Sequence, residues 1–483
     1  MVGKAVAAGA GAAATYRAAR IAHWDAVARA SDHRRTGGAY HRRLERVCRF
    51  LVRPGLRVLE VGCGRGDLLA AVDPAEGVGV DFSAEMIERA RRDHPGVQFV
   101  IADGHELPDL GGPFDAILLS DLLHDLWDVQ GLLAGLHRFC HPRTRIVMNF
   151  YSRLWELPLA AATSLGLAAS VLHQNWLTVS DVENLVRLSG HRAVRSWQEV
   201  LLPLPVPALE PFCNRALVRF WPFRWLALAN FMVARPLTRG AAAENPRVSV
   251  VIPARNEAGN VAALFERVPE MGSGTELIFV EGHSSDGTYE AIGNEMAARP
   301  QRPARLLRQT GHGKGDAVRL GFAEASGDVL MILDADLTVP PEDLPRFLEI
   351  LWSGEGEFVN GVRLVYPMDE RAMRFANLVG NKFFSWAFTW LLGQPIKDTL
   401  CGTKVLRRES YEAISAGRSY FGDFDPFGDF DLLFGAAKLN LEIVELPIRY
   451  RERTYGTTNI QRWRHGWLLL KMCFFAASRI KFV

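Results

Sequence analysis

The sequence predicts an α/β chain of two domains, each built on a mostly parallel sheet. Three observations carry that expectation. Apolar β-forming runs alternate with helical stretches from Arg57 onward and again from Val248 onward. The opening run of each half ends in a sharp turn: Val58-Leu-Glu-Val61 before Gly62, Gly64 and Gly66, and Val248-Ser-Val-Val-Ile252 before Pro253. A length of 483 residues suits two or three cores, and 48% hydrophobic with 23% charged residues is ordinary for folded protein. The boundary is expected near Ala241, which gives domains 1–240 and 241–483. A net charge of +2 without a basic, aromatic-interleaved stripe argues against nucleic acid as a partner. Six scattered cysteines form neither a C-x-x-C pair nor a disulfide framework, so a reducing cytoplasm is expected.

In chain order, residues 1–25 hold one early lysine and an Ala/Gly run, too weakly apolar for a signal peptide and expected as a disordered or helical leader. The first strand, at Val58, turns through its glycines into a helix. A second short strand, Gly77-Val-Gly-Val80, ends in Asp81, about 20 residues after the first glycine, where dinucleotide-type folds place a ribose-binding acid. A third, Val97–Ile101, ends near Asp103, and a fourth, PFDAILLS, ends at Ser120-Asp121. A nicotinamide-dinucleotide fingerprint needs G-x-G-x-x-G, but Asp67 stands where its last glycine belongs.

The pattern Glu60-x-Gly62-x-Gly64-x-Gly66, followed by Asp81 and Asp103, resembles the class I S-adenosylmethionine-dependent methyltransferases from Arg57 to about Tyr151. The resemblance implies that Glu60, Gly62, Gly64 and Gly66 surround the methionine part of the cofactor, that Asp81 binds its ribose and that Asp103 lies beside its adenine. It also implies a lid in the stretch with His23, Trp24, Asp25 and Tyr40. A methyl acceptor that is an oxygen or nitrogen nucleophile needs a proton acceptor just past the fourth strand. There LSDLLHDLWD offers His124 as base, with Asp121 lining the pocket. The plainer alternative makes Asp121 a helix N-cap and puts His124 and Asp125 on a solvated face.

Residues 201–240, with PLPVPALEP and FWPFRWLALANFMVARP, read as the end of the first domain and a connector. The second half then places Arg255, Asn256 and Glu257 where a helix opens at the carboxyl end of its first strand. LIFVEGHSSDGT sets Glu281 and Asp286 at the next strand end, and Gly313-Lys314-Gly315-Asp316 precedes Leu330-Met-Ile-Leu-Asp334-Ala-Asp336. Two carboxylates so close at the end of a buried strand are costly unless a cation compensates them, and a hard divalent ion bridging diphosphate oxygens meets that need.

This ordered set resembles the family 2 glycosyltransferases of the GT-A fold, itself Rossmann-like, over Val248–Tyr455. The resemblance implies that Pro253, Arg255, Glu257, Glu281, Asp286, Lys314 and Asp334 face a nucleotide-sugar donor. It makes Asp334 and Asp336 the DxD motif, with Asp336 on Mg²⁺ or Mn²⁺. NGVRL, NLVGNKFF, DTLCGTKVLRR and RERTYGTTNI, ending at Ile460, are similar to dolichyl- and polyprenyl-phosphate sugar synthases. Two departures stand out: Glu281-Gly-His-Ser replaces a pair of acids, and Thr458-Asn459 stands where a lysine is usual. A polyprenyl phosphate is already anionic and needs only cations such as Arg451 and Arg453 to position it, whereas a hydroxyl acceptor needs a base. Asp429, in GDFDPFGDFDLLF, stands where hydroxyl-directed relatives carry theirs, which keeps a hydroxyl acceptor as the alternative.

Phe375, Leu378, Phe383, Trp386 and Trp390 form a broad apolar helical surface, either core or a lipid-tail groove. The final stretch, RWRHGWLLLKMCFFAASRIKFV, reads as a basic amphipathic helix with Arg464, Lys471 and Arg479 near one face and Trp463, Trp467, Leu470 and Phe474 on another. It either packs on the domain or lies on a membrane, whose anionic headgroups attract such residues by ~1 kcal/mol each. The sequence thus reads as a bifunctional, bacterial-type, cytoplasmic enzyme, peripheral on the cytoplasmic face of a membrane. The alternative for the first domain is a docking module without catalysis.

Overall fold

The structure, a computed structural model, describes residues 2–30, 38–164, 172, 174–237, 245–363, 375–420, 429–451, 453, 455 and 462–482, with backbone alone at 2–10, 375–381, 429 and 462–466. The chain folds as two compact units that divide after Leu237.

The first unit is a seven-stranded sheet of β1 (Arg57–Val61), β2 (Glu76–Asp81), β3 (Gln98–Ile101), β4 (Phe114–Ser120), β5 (Cys140–Tyr151), β6 (His191–Glu199) and β7 (Ala229–Pro236). Its order is β3-β2-β1-β4-β5-β7-β6, with β7 antiparallel to both neighbours. Parallel strands covered on both faces read as continuous apolar runs, and Val58, Leu59, Ile117 and Leu119 are fully buried. The strand order reverses between β1 and β4, which opens a crevice at their carboxyl ends.

Two expectations that left alternatives open are narrowed here. ANFMVARP is not a connector: it is β7, buried along its whole length between β5 and β6. The N-terminal stretch is a helix, Val2–Ala30, as its alanines favour. Arg20 Nε donates to the Asp125 carbonyl at 3.0 Å and Trp24 Nε1 to Asp125 Oδ2 at 3.0 Å, so the helix is tied to the loop after β4.

The second unit is a seven-stranded sheet of β8 (Arg247–Ala254), β9 (Gly274–Glu281), β10 (Ala304–Arg308), β11 (Val329–Ile332), β12 (Phe358–Val362), β13 (Lys404–Arg407) and β14 (Ile443–Pro447). Its order is β10-β9-β8-β11-β13-β12-β14, with β13 antiparallel to β11 and β12. The crevice falls between β8 and β11. Val250, Ile252, Phe279 and Met331 are fully buried beneath it.

The tail forms a helix, Arg462–Ala476, that packs against the helix Phe375–Leu392. It buries Leu469, Met472 and Ala476 and leaves Trp467 and Phe474 62% and 77% exposed. Lys471 shares the exposed face with Trp467, its Nζ 5.9 Å from that ring, because residues four apart on a helix are neighbours. The expected separation of basic and aromatic faces is therefore absent there; the side chains of Trp463 and Arg464 lie outside the described residues. On the other helix Phe388 stacks on Phe434 in the core at 5.4 Å, while Phe383 and Trp386 stay exposed. Among the described residues no helix is long and apolar enough to cross a membrane.

Candidate functional sites

In the first unit, Gly62, Gly64 and Gly66 all have positive φ, which lets β1 turn at once into the helix Asp67–Ala71. A side chain at Gly64 would meet nothing within 4 Å, whereas one at Gly62 would strike Leu122 and one at Gly66 would strike Phe99, so the turn is open at Gly64. Glu60 is buried, and its Oε2 has no hydrogen-bond partner among the described residues. Burial pushes its carboxyl well above the usual range, with the Leu69 backbone opposing and Asp81 and Asp67 adding to the rise. An orphaned buried acceptor beside an open glycine turn fits a cofactor with a donor of its own.

Asp81, at the end of β2, accepts Gly64 N–H at 2.9 Å on Oδ2 and Ser83 N–H at 2.9 Å on Oδ1. Burial raises its carboxyl despite these donors. Asp103 accepts His105 Nδ1 at 2.8 Å and the His105 N–H at 2.9 Å, and pairs with Arg17 of the N-terminal helix at 3.1 Å. The His105 hydrogen bond is the main reason its carboxyl drops to about 2. Ser83 Oγ donates to Asp25 of the same helix at 2.5 Å, so that helix covers the carboxyl edge of β2 and β3.

Beyond β4 the expectation of a helix cap or a solvated face fails. Asp121 has φ 49° and caps nothing; its Oδ1 accepts Tyr40 OH at 2.6 Å and Asn149 Nδ2 at 2.6 Å. His124 is buried under Tyr151, with ring centroids 4.6 Å apart. Its Nδ1 has no hydrogen-bond partner among the described residues, and burial lowers its pKa against the pull of Asp121 and Asp125. Asp128 instead caps the helix Val129–Gly135 through Gly131 N–H at 2.9 Å. Tyr40, expected in a lid, and Asn149, which carried no expectation, complete this cluster.

In the second unit the helix opens later than expected: Glu257 precedes the turn Ala258–Asn260, and the helix proper is Val261–Arg267. Arg453 spans the crevice, its Nη1 donating to Glu257 Oε1 at 3.2 Å and its Nη2 to Asp336 Oδ2 at 2.6 Å. Burial lifts the Glu257 carboxyl to about 7, with Arg453 and Asn260 pulling the other way. Thr338 holds the other Asp336 oxygen through Oγ1 at 2.7 Å and N–H at 3.1 Å. Lys314 begins the helix Lys314–Glu324 and pairs with Asp334 at 2.6 Å. Burial would raise the Asp334 carboxyl, but the charge and hydrogen bond of Lys314, with Lys404 and Arg363, hold it below its usual range.

Asp286 accepts Ala258 N–H at 3.1 Å and Tyr455 OH at 3.2 Å. Glu281 accepts Ser284 N–H at 2.5 Å. Pro253 is half-buried within β8 opposite Val280, and Arg255 is exposed at the crevice rim. The Asp429 backbone begins the helix Asp429–Lys438, and its side chain lies outside the described residues. The positive charges that face Asp334 and Asp336 in the structure are those of Lys314 and Arg453. No group of three metal-binding side chains occurs among the described residues. Two hard carboxylates nonetheless suit a divalent ion that takes its remaining ligands from phosphate oxygens.

Sequence reasoning missed three residues around this edge, all inside motifs it had singled out. Asp398, fully buried, holds Arg363 in a two-pronged pair at 2.7 and 2.8 Å. Gly402 lies against Asp334 and Lys314 so closely that any side chain there would collide with both. Tyr455 links the last motif to Asp286. The signal for Asp398 was available, since an acid within the DTLCGT run is costly without a partner.

Residues 249–415 match the model of glycosyl transferase family 2 and residues 58–143 that of a methyltransferase domain. The dolichol-phosphate mannosyltransferase of Pyrococcus furiosus is 29% identical over 234 residues, covering 44% of this chain and 59% of that protein. An undecaprenyl-phosphate 4-deoxy-4-formamido-L-arabinose transferase of Aeromonas hydrophila is 36% identical over 171 residues, covering 35% of this chain and 51% of that protein. The chain therefore spans between half and three-fifths of the length of these two relatives. The solved glucosyl-3-phosphoglycerate synthase of Mycobacterium tuberculosis is 20% identical, covers 49% of this chain and 80% of its own, and superposes with a TM-score of 0.36, a likeness too loose to carry any argument about activity. The sheet orders and the matched families agree that this chain joins a methyltransferase domain to a family 2 glycosyl transferase domain.

Proposed function

We propose that the second domain, 241–483, transfers a sugar from a nucleotide sugar to a polyprenyl-phosphate-type lipid with inversion at the anomeric carbon. The observation that carries this reading is the pairing of Asp334 with Lys314 and of Asp336 with Arg453 at the reversal of the sheet. Carboxylates neutralised by mobile side-chain cations can exchange them for another cation. Asp334 and Asp336 would hold Mg²⁺ or Mn²⁺, which when bound neutralises the leaving diphosphate. Arg453 must then release Asp336 Oδ2, and its guanidinium becomes available to an anionic acceptor. The acceptor's phosphate oxygen forms a bond to the anomeric carbon as the bond to the nucleoside diphosphate breaks, so no proton has to be removed. Lipid-phosphate names among the relatives support this acceptor. Exposed Phe383, Trp386, Trp467 and Phe474 supply surface for a lipid tail and for peripheral contact with the cytoplasmic face of a membrane.

For the first domain, 1–240, the reading is methyl transfer from S-adenosylmethionine. Glu60 and the glycine turn hold the methionine part, Asp81 the ribose and Asp103 the adenine side, under the N-terminal helix. His124, buried and with its pKa lowered, takes the proton of the acceptor. The test is purified protein with a panel of nucleotide sugars and a short polyprenyl phosphate, with Mn²⁺ and with chelator. Transfer that persists undiminished in chelator, or none with any donor, would overturn the reading.

A further inference from the structure

Between β6 and β7 the first unit leaves its sheet and displays Leu209, Phe212, Trp221, Trp225 and Leu226, each between 50% and 67% exposed. This is not loose chain. Asn214, buried, accepts Leu202 N–H at 2.8 Å and donates to the Leu202 carbonyl at 2.8 Å, clamping the start of the excursion. Leu228 N–H closes it on the Val200 carbonyl at 2.8 Å. Arg219 pairs with Glu199 at 2.7 Å beneath it, both side chains buried. Trp221 and Trp225 meet edge to face at 6.1 Å. Trp155 Nε1 donates to the Leu226 carbonyl at 2.9 Å, which brings the turn Arg153–Trp155 alongside and extends the apolar surface through Leu154 and Leu157, 56% and 80% exposed.

A contiguous apolar patch on an ordered scaffold marks a contact surface, and the charges beside this one select the partner. Arg224 lies exposed between the two tryptophans in sequence, and Arg215, earlier in the same excursion, is exposed too. The Arg46 guanidinium is held below its usual range by partial burial and then by the charges of Arg43, Arg215 and Arg42, against the pull of Glu210. Exposed Arg215 and Arg224 therefore put positive charge in the same excursion as the tryptophans, while Arg43 is buried against Glu199. A second copy docking through the same patch would bring these like charges together. Tryptophans rimmed by arginines are instead what the headgroup layer of an anionic bilayer accommodates, indole at the interface and guanidinium on phosphate. We infer that this aromatic ridge is a membrane-docking surface of the methyltransferase domain, seated at headgroup depth on anionic lipid. It rests on the membrane-facing part of the reading above and on no particular sugar, nucleotide or acceptor.

The test is co-sedimentation of the full chain with phosphatidylcholine vesicles, with and without phosphatidylglycerol. Trp221→Ser/Trp225→Ser should weaken binding to the mixed vesicles by about tenfold, and Arg215→Glu/Arg224→Glu should erase the preference for them. Both should keep the wild-type melting curve and S-adenosylhomocysteine affinity; if the tryptophan pair does not fold, Leu209→Ser/Phe212→Ser carries the same expectation. Unchanged sedimentation of the ridge variants, with loss confined to Trp467→Ser/Phe474→Ser, would overturn the ridge and leave the membrane reading standing on the tail. Wild-type protein that sediments with neither vesicle would overturn both. A ridge variant that turns a dimer into a monomer while vesicle binding holds would make a second copy the occupant and overturn the inference.

Discussion

The two carboxyl edges of this chain hold their acids in opposite ways. At the first, both oxygens of Asp81 accept backbone N–H groups, from Gly64 and Ser83. At the second, Asp334 and one oxygen of Asp336 are met by the long side chains of Lys314 and Arg453, with Thr338 on the other Asp336 oxygen. Backbone donors are fixed by the turn that carries them, so Asp81 is oriented before any ligand arrives, as recognition of a neutral hydroxyl requires. A lysine and an arginine on rotatable stems can swing away, and the second edge is thereby suited to exchanging charge with an incoming anion and its counterion. Preorganisation by backbone and neutralisation by exchangeable cations are different answers to the cost of a carboxylate at a strand end.

If that contrast is right, the second edge should fail catastrophically on losing one acid. Asp336→Ala should lower sugar transfer by about 10²–10³-fold, with S-adenosylhomocysteine binding unchanged in calorimetry. Transfer at the wild-type rate would show that these acids have another purpose. The cation opposite sharpens the comparison by identifying the acceptor. Arg453→Ala should sharply reduce transfer to a short polyprenyl phosphate, and Asp429→Asn should be tolerated better. With a hydroxyl acceptor the order reverses, because losing a base costs ~10²–10⁴-fold. Gly402→Ala comes next: a methyl group there pushes Lys314 and Asp334 apart, so transfer should fall by about tenfold for the weakened charge pair while the melting temperature stays near wild type. An unaffected rate would mean the pair is dispensable.

The same contrast explains what the sequence disclosed. β1, β2, β4, β8 and β11 are central parallel strands whose double burial writes them as apolar runs, and the acids that follow them were placed from that alone. β7 escaped because Asn230 and Arg235 interrupt its apolar run and it arrives antiparallel from a distant segment. Asp81 lies no more than 17 positions from either of its donors, inside a local motif. Arg453 and Glu257 are 196 positions apart, and no local pattern announces such a pair. His124 was visible as a candidate, but its burial depends on Tyr151, brought over it by β5. Asp121 looked like a cap because an acid before a helical stretch usually is one; its partners Tyr40 and Asn149 come from other elements and override that preference.

At the preorganised edge smaller losses are expected. Asp81→Ala should weaken S-adenosylhomocysteine binding by ~1–3 kcal/mol, the range for hydrogen bonds to a charged group. No detectable binding by the wild-type chain would favour a docking module that has lost its cofactor.

The smallest effect, and the one that tests whether this edge is rigid without ligand, is the pH dependence of the Asp103–His105 pair. Asp103 is held at about 2, below its ordinary 3.8, chiefly by the His105 hydrogen bond, and His105 is raised above 6.5 chiefly by the same bond. A depressed carboxyl stabilises the fold above its unfolded value, and that contribution is lost as pH falls from 3.8 through about 2. A raised imidazole stabilises below its unfolded value, and that contribution is lost as pH climbs past 6.5. The pair therefore contributes most between these limits, by no more than about 1 kcal/mol, because both groups are partly open to solvent that screens them. Denaturant midpoints measured across pH should show His105→Ala losing this increment at mid-range and converging on wild type at both ends. A pH-independent difference would mean that His105 packs rather than pairs, leaving Asp103 to be oriented by its backbone donor and Arg17 alone.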